Sequence, residues 1–231
     1  MSYLKSNLDT IYTNIEAACK KTGRNPEEVK VIAVTKTVES DVINEAISTG
    51  VNAIGENRVQ EITRKFDDIE NVIEWHLIGH LQRNKVKYII DKVDLIHSVD
   101  SVRLAKEINN QAKNLNKVMP ILVQINVAKE ESKFGIEKTD VHDFMDQIRE
   151  FEHLKVKGLM TIAPFYDDPE DVRIYFRELK GIFDQLKDQN EANVDMQYLS
   201  MGMTNDYEVA IEEGANMVRI GTGIFGRRNY T

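Results

Sequence analysis

Hydrophobic positions at the start of the chain recur every three or four residues. Leu4, Leu8 and Ile11 would lie on one face of this segment if it is helical. Gly23 and, beyond it, Pro26 are residue types that end helices. The pattern therefore predicts an amphipathic N-terminal helix that ends near Gly23.

Short apolar runs then alternate with amphipathic helical patterns along the rest of the chain. The apolar runs are rich in Val, Ile and Leu, as buried strands are. They predict strands over residues 29–36, 52–56, 73–78, 94–99, 119–127, 156–162, 196–201 and 217–225. The segments between and after them predict helices over residues 40–49, 57–67, 84–90, 101–115, 139–151, 169–188 and 205–213.

This alternation determines the predicted fold class, α/β. Parallel neighbouring strands need crossover connections, and the helical segments supply them. Eight strands in 231 residues predict a single closed (β/α)8 barrel of the TIM type, with an extra N-terminal helix and no second domain. An open doubly wound sheet is the alternative, although no glycine fingerprint for a phosphate follows the first strand. We expect residues 1–231 to form one domain.

Net charge and cysteine content limit the kinds of partner and compartment that we expect. The formal charge is −8, from 30 basic and 38 acidic residues, which argues against sequence-independent binding to nucleic acid or to an anionic membrane. Cys19 is the single cysteine, so no intramolecular disulfide is possible and a reducing compartment fits. We expect Cys19 to be a buried apolar residue, and the protein to be cytoplasmic with no nucleic-acid or membrane partner.

Polar residues and glycines gather at the predicted strand ends, where a parallel barrel carries its active site. Lys36 closes the first strand, in "VIAVTKTV". "SMGMT" (Ser200–Thr204) ends the seventh strand and "RIGTG" (Arg219–Gly223) ends the eighth. Loops at these two places often bind phosphate through backbone N–H groups. Asn205 with Glu208 adds a helix-capping pattern there.

Arg219 is expected to point into the barrel, because alternation puts it on the face opposite Val218 and Ile220. A buried guanidinium is costly without an acceptor, which is either an inward carboxylate or a bound ligand. A lysine amine, a phosphate loop and this arginine fit pyridoxal phosphate, whose aldehyde condenses with a deprotonated amine. A Schiff-base aldolase acting on a phosphosugar fits the same residues.

Six motifs resemble those of the small pyridoxal-phosphate-binding homeostasis proteins. In chain order they are "VIAVTKTV", "IGENRVQE", "WHLIGHLQRNK", "INVAKEESKFGI", "GLMTIAP" and "LSMGMTNDYEVAIEEGANMVRIGTGIFG". The resemblance extends from the N-terminal helix to Gly226 and implies an alanine-racemase-like barrel. It also implies pyridoxal phosphate as cofactor, held as a Schiff base on Lys36. In "GLMTIAP", Ala163 precedes Pro164 where the family pattern has a second proline. This departure affects the expected shape of the cavity rim and not the expected cofactor.

The resemblance implies roles for the strand-end residues. Ser200 and the backbone of Gly221 and Thr222 would bind the phosphate. Arg219 would face the ring nitrogen and disfavour its protonation, so the ring would be a weaker electron sink. The expected cofactor-binding residues are Lys36, Asn57, His80, Met160, Ser200, Gly202, Thr204, Arg219, Gly221 and Thr222. We expect no metal, because His76 and His80 lie on a strand running into a loop and need not converge.

Racemisation needs an acid–base group on each face of the cofactor, and Lys36 supplies only one. The chain ends soon after the last strand, so we expect no second domain of the kind that completes racemase sites. The sequence and the resemblance therefore predict a non-catalytic pyridoxal phosphate carrier. It would act in vitamin B6 homeostasis and amino-acid balance, with pyridoxal-phosphate-dependent apoenzymes as candidate recipients. The alternatives are a racemase-like enzyme with His80 as second base, and the aldolase. We expect a monomer or a weak homodimer.

Overall fold

The computed structural model describes residues 2–69, 73–128, 134–187 and 192–226. In these ranges, helices surround a parallel sheet. The strands are β1 (Lys30–Val34), β2 (Ala53–Glu56), β3 (Glu74–Leu77), β4 (Leu95–Val99), β5 (Met119–Asn126), β6 (Ile136–Glu137), β7 (Leu154–Met160), β8 (Val194–Met203) and β9 (Met217–Ile220). The helices are α1 (Tyr3–Thr22), α2 (Ser40–Ser48), α3 (Val59–Lys65), α4 (Val102–Asn114), α5 (Val141–Ile148), α6 (Arg173–Lys187), α7 (Tyr207–Glu212) and α8 (Thr222–Phe225).

The sheet closes into a barrel, which confirms the predicted fold. Its order is β4-β3-β2-β1-β9-β8-β7-β5, and β4 also pairs with β5. The first and last strands pair in parallel, with Ile32 opposite Arg219. This closure excludes the open doubly wound alternative. The two-residue strand β6, which the sequence did not predict, pairs with β5 beside the ring.

The core has two layers. The larger layer lies between the strands and the surrounding helices. The smaller one fills the inside of the barrel with Ile32, Ala53, Leu95, Leu122, Met160 and Met217. Because both faces of the strands are covered, most strand residues are buried and the sequence shows continuous apolar runs.

Helix α1 ends where its sequence predicts, and a serine caps its start. The Ser2 side chain caps its N-terminus by accepting a hydrogen bond from the Leu4 N–H. Gly23 at its C-terminus has φ 70°, a left-handed conformation that glycine adopts without steric cost, and its N–H donates to the Cys19 carbonyl. Cys19 is fully buried, as expected. The helix packs against α7 and α8.

The last predicted strand is too long. Strand β9 ends at Ile220, and residues 222–225, predicted as strand, form the single helical turn α8. The N–H of Ile224 donates to the Gly221 carbonyl, which begins this turn. Asn7 of α1 donates its side-chain amide to the Ile224 carbonyl at 2.8 Å. Packing against α1 therefore overrides the strand propensity of the isoleucine and phenylalanine here.

Other boundaries also differ from the predictions. The predicted cap Asn205 is wrong, because Asp206 occupies the N-cap position and α7 begins at Tyr207. The short helix predicted over residues 84–90 is a 3-10 helix at Arg83–Tyr88, and another at Pro169–Val172 precedes α6. Residue 188, the last of the predicted sixth helix, lies outside the described residues. Among the described helices, none has the length and apolar character to cross a bilayer.

Candidate functional site

A cavity of about 240 Å³ opens at the carboxyl ends of the strands, next to β1, β8 and β9. It brings together five of the residues predicted to bind a cofactor. Its lining includes Val34, Lys36, Pro164, Phe165, Tyr166, Met203, Thr204, Asp206, Arg219, Gly221 and Thr222. The cavity therefore joins the first unit of the barrel to its last three units. The ends of β1, β8 and β9 lie where the sequence predicts the site, and the loop after β7 adds a further wall.

Lys36 lies at the cavity, two residues beyond the end of β1, and its side chain is exposed. The preceding residue, Thr35, is fully buried. The following residue, Thr37, has φ 61°, which is rare for a β-branched residue. Lys36 therefore sits in a bend between a fixed strand end and an unfavourable backbone conformation.

Arg219 points into the barrel, as alternation predicts, and is only 4% exposed. Its guanidinium donates to Ser200 Oγ at 2.5 Å and to the Thr161 carbonyl at 2.8 Å. Burial lowers the pKa of Arg219 to about 10, and the nearby Asp206 carboxylate opposes that shift. Arg219 is therefore still a cation at neutral pH, and it presents a positive charge to the cavity.

Asp206 contributes the carboxylate that faces this cation. Burial raises the pKa of Asp206, while a hydrogen bond from the Met203 N–H and the charge of Arg219 lower it. Its Oδ1 accepts the Met203 N–H at 2.6 Å, which fixes the turn between β8 and α7. Among the described residues, the hydrogen-bond acceptors of the guanidinium are therefore a hydroxyl and a backbone carbonyl, and Asp206 acts on it through its charge. A ligand as a further acceptor stays a prediction, because Arg219 lines the cavity.

A chain of hydrogen bonds runs from beneath Arg219 through the barrel to the opposite end of the strands. Ser200 Oγ lies 3.1 Å from His97 Nδ1. His97 Nε2 lies 2.8 Å from His76 Nδ1, and His76 Nε2 lies 3.3 Å from Glu74 Oε2. His76 is nearly fully buried and His97 completely so. Polar contacts thus link the arginine to a carboxylate at the far end of the barrel.

The groups at the two ends of this series of hydrogen bonds determine which atom donates in each bond. Hydrogen bonds with His76 and Lys30 lower the pKa of Glu74 to about 2, so Glu74 is a carboxylate and can only accept. Burial lowers the pKa of His76 and, more strongly, of His97, so both imidazoles are neutral at pH 7. Each histidine then donates from Nε2 and accepts at Nδ1, and Ser200 donates to His97 while accepting from Arg219.

The loops after β8 and β9 touch each other at Thr204, whose hydroxyl accepts the Gly223 N–H at 3.3 Å. Gly202 has φ 92°, and a Cβ there would lie 2.6 Å from the Ala210 side chain. Close packing of β8 against α7 therefore requires this glycine. The role predicted for Gly202 in binding a cofactor stays a prediction.

Five of the predicted residues do not line the cavity: Asn57, His80, Met160, Ser200 and Gly202. Met160 is buried in the barrel interior, and Ser200 lies beneath Arg219. His80 stacks on Phe134, with ring centroids 3.7 Å apart. It lines a separate cavity with Asn57, whose buried Oδ1 has no hydrogen-bond partner in the structure.

His76 and His80 belong to different surroundings. His76 contacts His97 inside the barrel, whereas His80 Nδ1 lies 3.3 Å from Asp100 Oδ2 at the rim. Across the part of the chain that the structure describes, no group of three or more His, Cys, Asp and Glu side chains is arranged to hold a metal ion.

Three residues of the site were missed by the sequence reasoning. Asp206 stands within the quoted "SMGMTNDYE", but the capping pattern was assigned to its neighbour. His97 lies two residues after Leu95, which faces the barrel interior, and the same spacing places it on that face. Tyr166 lies in the loop after β7, six residues past the strand end, where a strand-end search does not reach.

Comparison with known proteins places this geometry in a family. The family model of the alanine racemase N-terminal domain matches residues 6–229. The pyridoxal phosphate homeostasis protein of Aquifex aeolicus is 46% identical over 224 residues, which cover 96% of this chain and 97% of that protein. PipY of Synechococcus elongatus, solved with pyridoxal phosphate bound, is 31% identical with a TM-score of 0.79, covering 92% of this chain and 100% of that chain.

A more distant neighbour shares the fold. The alanine racemase of Clostridium difficile, in complex with cycloserine, is 17% identical with a TM-score of 0.77. The match covers 99% of this chain and 60% of that chain. The chain described here belongs to the family of the alanine racemase N-terminal domain, together with relatives named pyridoxal phosphate homeostasis protein.

Proposed function

We propose that this protein binds pyridoxal 5'-phosphate in the cavity and holds it as a Schiff base on Lys36. The observation that carries the proposal is the meeting of an exposed amine, a buried guanidinium and a hydroxyl- and glycine-bearing loop pair around one cavity. These groups complement an aldehyde, a ring nitrogen and a phosphate. The residues present therefore fit the cofactor.

Each part of the cavity has a role in this proposal. Lys36 would supply the amine nucleophile, and the aldehyde of the cofactor would supply the electrophile to which that amine attaches. Thr204, Thr222 and the backbone at Gly221 bind the phosphate. Arg219 meets the ring nitrogen, and its positive charge disfavours protonation there. Ser200, for which the resemblance implies phosphate binding, supports Arg219 from beneath.

The biological role follows from the relatives and from the openness of the site. Proteins that match almost the whole chain are named for pyridoxal phosphate homeostasis. The cavity opens at the carboxyl ends of the strands, which suits exchange of a cofactor rather than its permanent enclosure. We therefore propose a cytoplasmic carrier without turnover, which acts in vitamin B6 homeostasis and amino-acid balance and supplies pyridoxal-phosphate-dependent apoenzymes.

The test is a titration with pyridoxal phosphate followed by visible absorbance. The wild type should develop the band of a protonated Schiff base at stoichiometric cofactor, and Lys36→Ala should not. Lys138→Ala is the matched control, because Lys138 is an exposed lysine outside the cavity. A band of wild-type strength in Lys36→Ala, or no band in the wild type, would contradict the proposal.

A racemase-like enzyme is the second candidate, and one observation favours it. Tyr166 lines the same cavity as Lys36 and is a better-placed second acid–base group than His80. The carrier proposal predicts that the protein loaded with pyridoxal phosphate incorporates no solvent deuterium at the α-carbon of amino acids, as measured by proton NMR. Incorporation that disappears in Tyr166→Phe but persists in Tyr88→Phe, an exposed tyrosine outside the cavity, would instead establish an enzyme.

A further inference from the structure

A buried ionic cluster lies beneath the bend that carries Lys36. Lys65 of α3 and Glu56 of β2 are both completely buried, and neither lines the cavity. The Lys65 ammonium donates to Glu56 Oε1 at 2.7 Å, and it lies 2.9 Å from Glu61 Oε2. Glu56 and Glu61 both belong to the motif "IGENRVQE", for which the proposed site gives no role.

The third partner of the Lys65 ammonium is the backbone at the base of the bend. Its Nζ donates to the carbonyl of Thr35 at 2.9 Å. The Thr35 hydroxyl donates to the same Glu56 oxygen at 2.7 Å. The Thr35 N–H donates to the Gly55 carbonyl, and the Val38 N–H closes the bend onto the Thr35 carbonyl. The N–H, carbonyl and hydroxyl of Thr35 are therefore all tied.

This anchor lies next to the residue that would react. Lys36 is exposed, so its flexible side chain is directed chiefly by the backbone from which it extends. That backbone continues into Thr37 with φ 61°, a conformation that a threonine adopts only when the surroundings hold it. Without an anchor, the bend would relax and the amine would lose its place over the cavity.

A buried ion pair needs such a reason to be there. The desolvation of two charges offsets most of their attraction, and an apolar pair of similar volume is often as stable. Charge-assisted bonds do, however, fix geometry, because they are short and directional. Here they converge on the carbonyl immediately before Lys36.

We propose that Lys65 and Glu56 are positioning residues, which fix the backbone at Thr35 so that Lys36 is held ready to react with an aldehyde at the cavity. The inference rests on the proposed function of that cavity. It assigns the two residues no contact with the cofactor and no proton transfer. Their effect is on the equilibrium of cofactor attachment, through the conformation of residues 34–40.

The test compares variants that remove the anchor in two ways. The double variant Lys65→Met with Glu56→Leu removes both charges together, so that neither is left buried without its partner. Thr35→Val keeps the shape of the side chain and removes only its hydroxyl donor. Leu186→Ala is the matched control, because it removes a fully buried side chain on α6, outside both the cavity and the anchor.

Three quantities are measured: the affinity for pyridoxal phosphate from the visible absorbance band, amide hydrogen exchange of residues 34–40, and the melting temperature. The double variant should bind about tenfold or more weakly, since a relaxed bend must be ordered again before the amine can attach, and ordering one backbone residue costs about this factor. Its exchange at residues 34–40 should be faster, and Thr35→Val should show smaller changes in the same direction. Leu186→Ala should keep wild-type affinity despite a lower melting temperature.

Wild-type affinity and wild-type exchange in both anchor variants would overturn the inference. So would an affinity loss in Leu186→Ala as large as that of the double variant, because the effect would then follow stability alone. A wild type that shows no band would overturn the proposed function instead. The exchange of residues 34–40 would still decide whether Lys65 and Glu56 anchor the bend.

Discussion

Arg219 is a buried cation, and its neighbours determine how the protein tolerates that charge. Ser200 Oγ and the Thr161 carbonyl accept hydrogen bonds from its guanidinium, and the Asp206 carboxylate lies close by. Beneath it, hydrogen bonds through the neutral imidazoles of His97 and His76 continue to Glu74 at the far end of the barrel. A hydrogen-bonded chain in a low-dielectric interior is costly to leave half satisfied, so each member depends on the next.

His97→Leu tests this chain through pH. The pKa of His97 in the folded protein lies well below its usual value of 6.5, so between these two values the unfolded chain binds more protons. The free energy of unfolding of the wild type should therefore have its full value above pH 6.5. It should fall below that pH, by up to about 1.4 kcal/mol per pH unit for each such histidine. The variant should lose about 1–3 kcal/mol at pH 7, from its unpaired neighbours, and show a shallower fall.

The measurement is urea unfolding of both proteins at steps from pH 7.5 down to about 5, above the range where ordinary carboxylates dominate. The control is Leu186→Ala, which should lower stability but keep the wild-type pH profile, because it removes a buried apolar side chain and leaves every histidine in place. An equally steep profile in His97→Leu would mean that His97 is protonated in the folded protein as readily as in the unfolded one.

Some of these residues could be predicted from the sequence and others could not, for physical reasons. Lys36 stands out because a charged residue closes an apolar run, and Arg219 because it interrupts one. His97 does not stand out, since β4 is buried on both faces and its sequence shows no alternation that marks the inward side. Ser200 was expected at the phosphate, but the direction of its side chain depends on the hydrogen bonds that Arg219 and His97 make with it.

At the level of elements, α1 packs against α7 and α8, the helices of the last two units of the barrel. Asn14 donates to the Tyr207 hydroxyl at 2.9 Å, and Asn7 donates to the Ile224 carbonyl. Arg24, just beyond the helix, donates to the carbonyls of Ile211 and Ala215. These contacts hold α7 and α8, the two helices that follow the loops expected to bind phosphate. The N-terminal helix thus supports the site without reaching it.

Leu8→Ala should weaken this support. Leu8 is 1% exposed, and truncation of a buried leucine costs about 2–5 kcal/mol of unfolding free energy. We also expect faster hydrogen exchange in residues 221–226, because they pack on the same helix. Urea unfolding and hydrogen exchange measure both effects.

Glu16→Ala, an exposed change on the same helix, should shift stability by less than about 0.5 kcal/mol. If Leu8→Ala is destabilised but exchange in residues 221–226 stays at the wild-type rate, α1 is a stabilising element that does not support the site.

Element types were more predictable than element ends. The eight barrel strands appear where the apolar runs predict them, because burial on both faces requires continuous apolar sequence. The end of β9 could not be predicted, since Thr222, Ile224 and Phe225 are strand formers whose conformation is set by packing against α1. The N-cap residue of α7 could not be predicted either, because Asn205 and Asp206 are both good capping residues. The hydrogen bond from the Met203 N–H to Asp206 Oδ1 favours Asp206.

At the level of the whole molecule, closure of the barrel creates the site. Lys36 follows the first strand, Thr204 follows β8 and Arg219 lies in β9, so they meet only because β1 pairs with β9. The count of strands predicts closure, but no local pattern shows which strand ends share a cavity. The cavity lies where β1 pairs with β9, which explains why the proposed site takes residues from the two ends of the sequence.

The most direct test of this account is borohydride reduction of the protein loaded with pyridoxal phosphate, followed by peptide mass mapping. Reduction converts a Schiff base into a stable amine and records which lysine carried the cofactor. The account predicts stoichiometric labelling at Lys36, and no labelled peptide in Lys36→Ala under the same conditions. Labelling distributed over exposed lysines such as Lys87 and Lys138, with Lys36 unmodified, would contradict it.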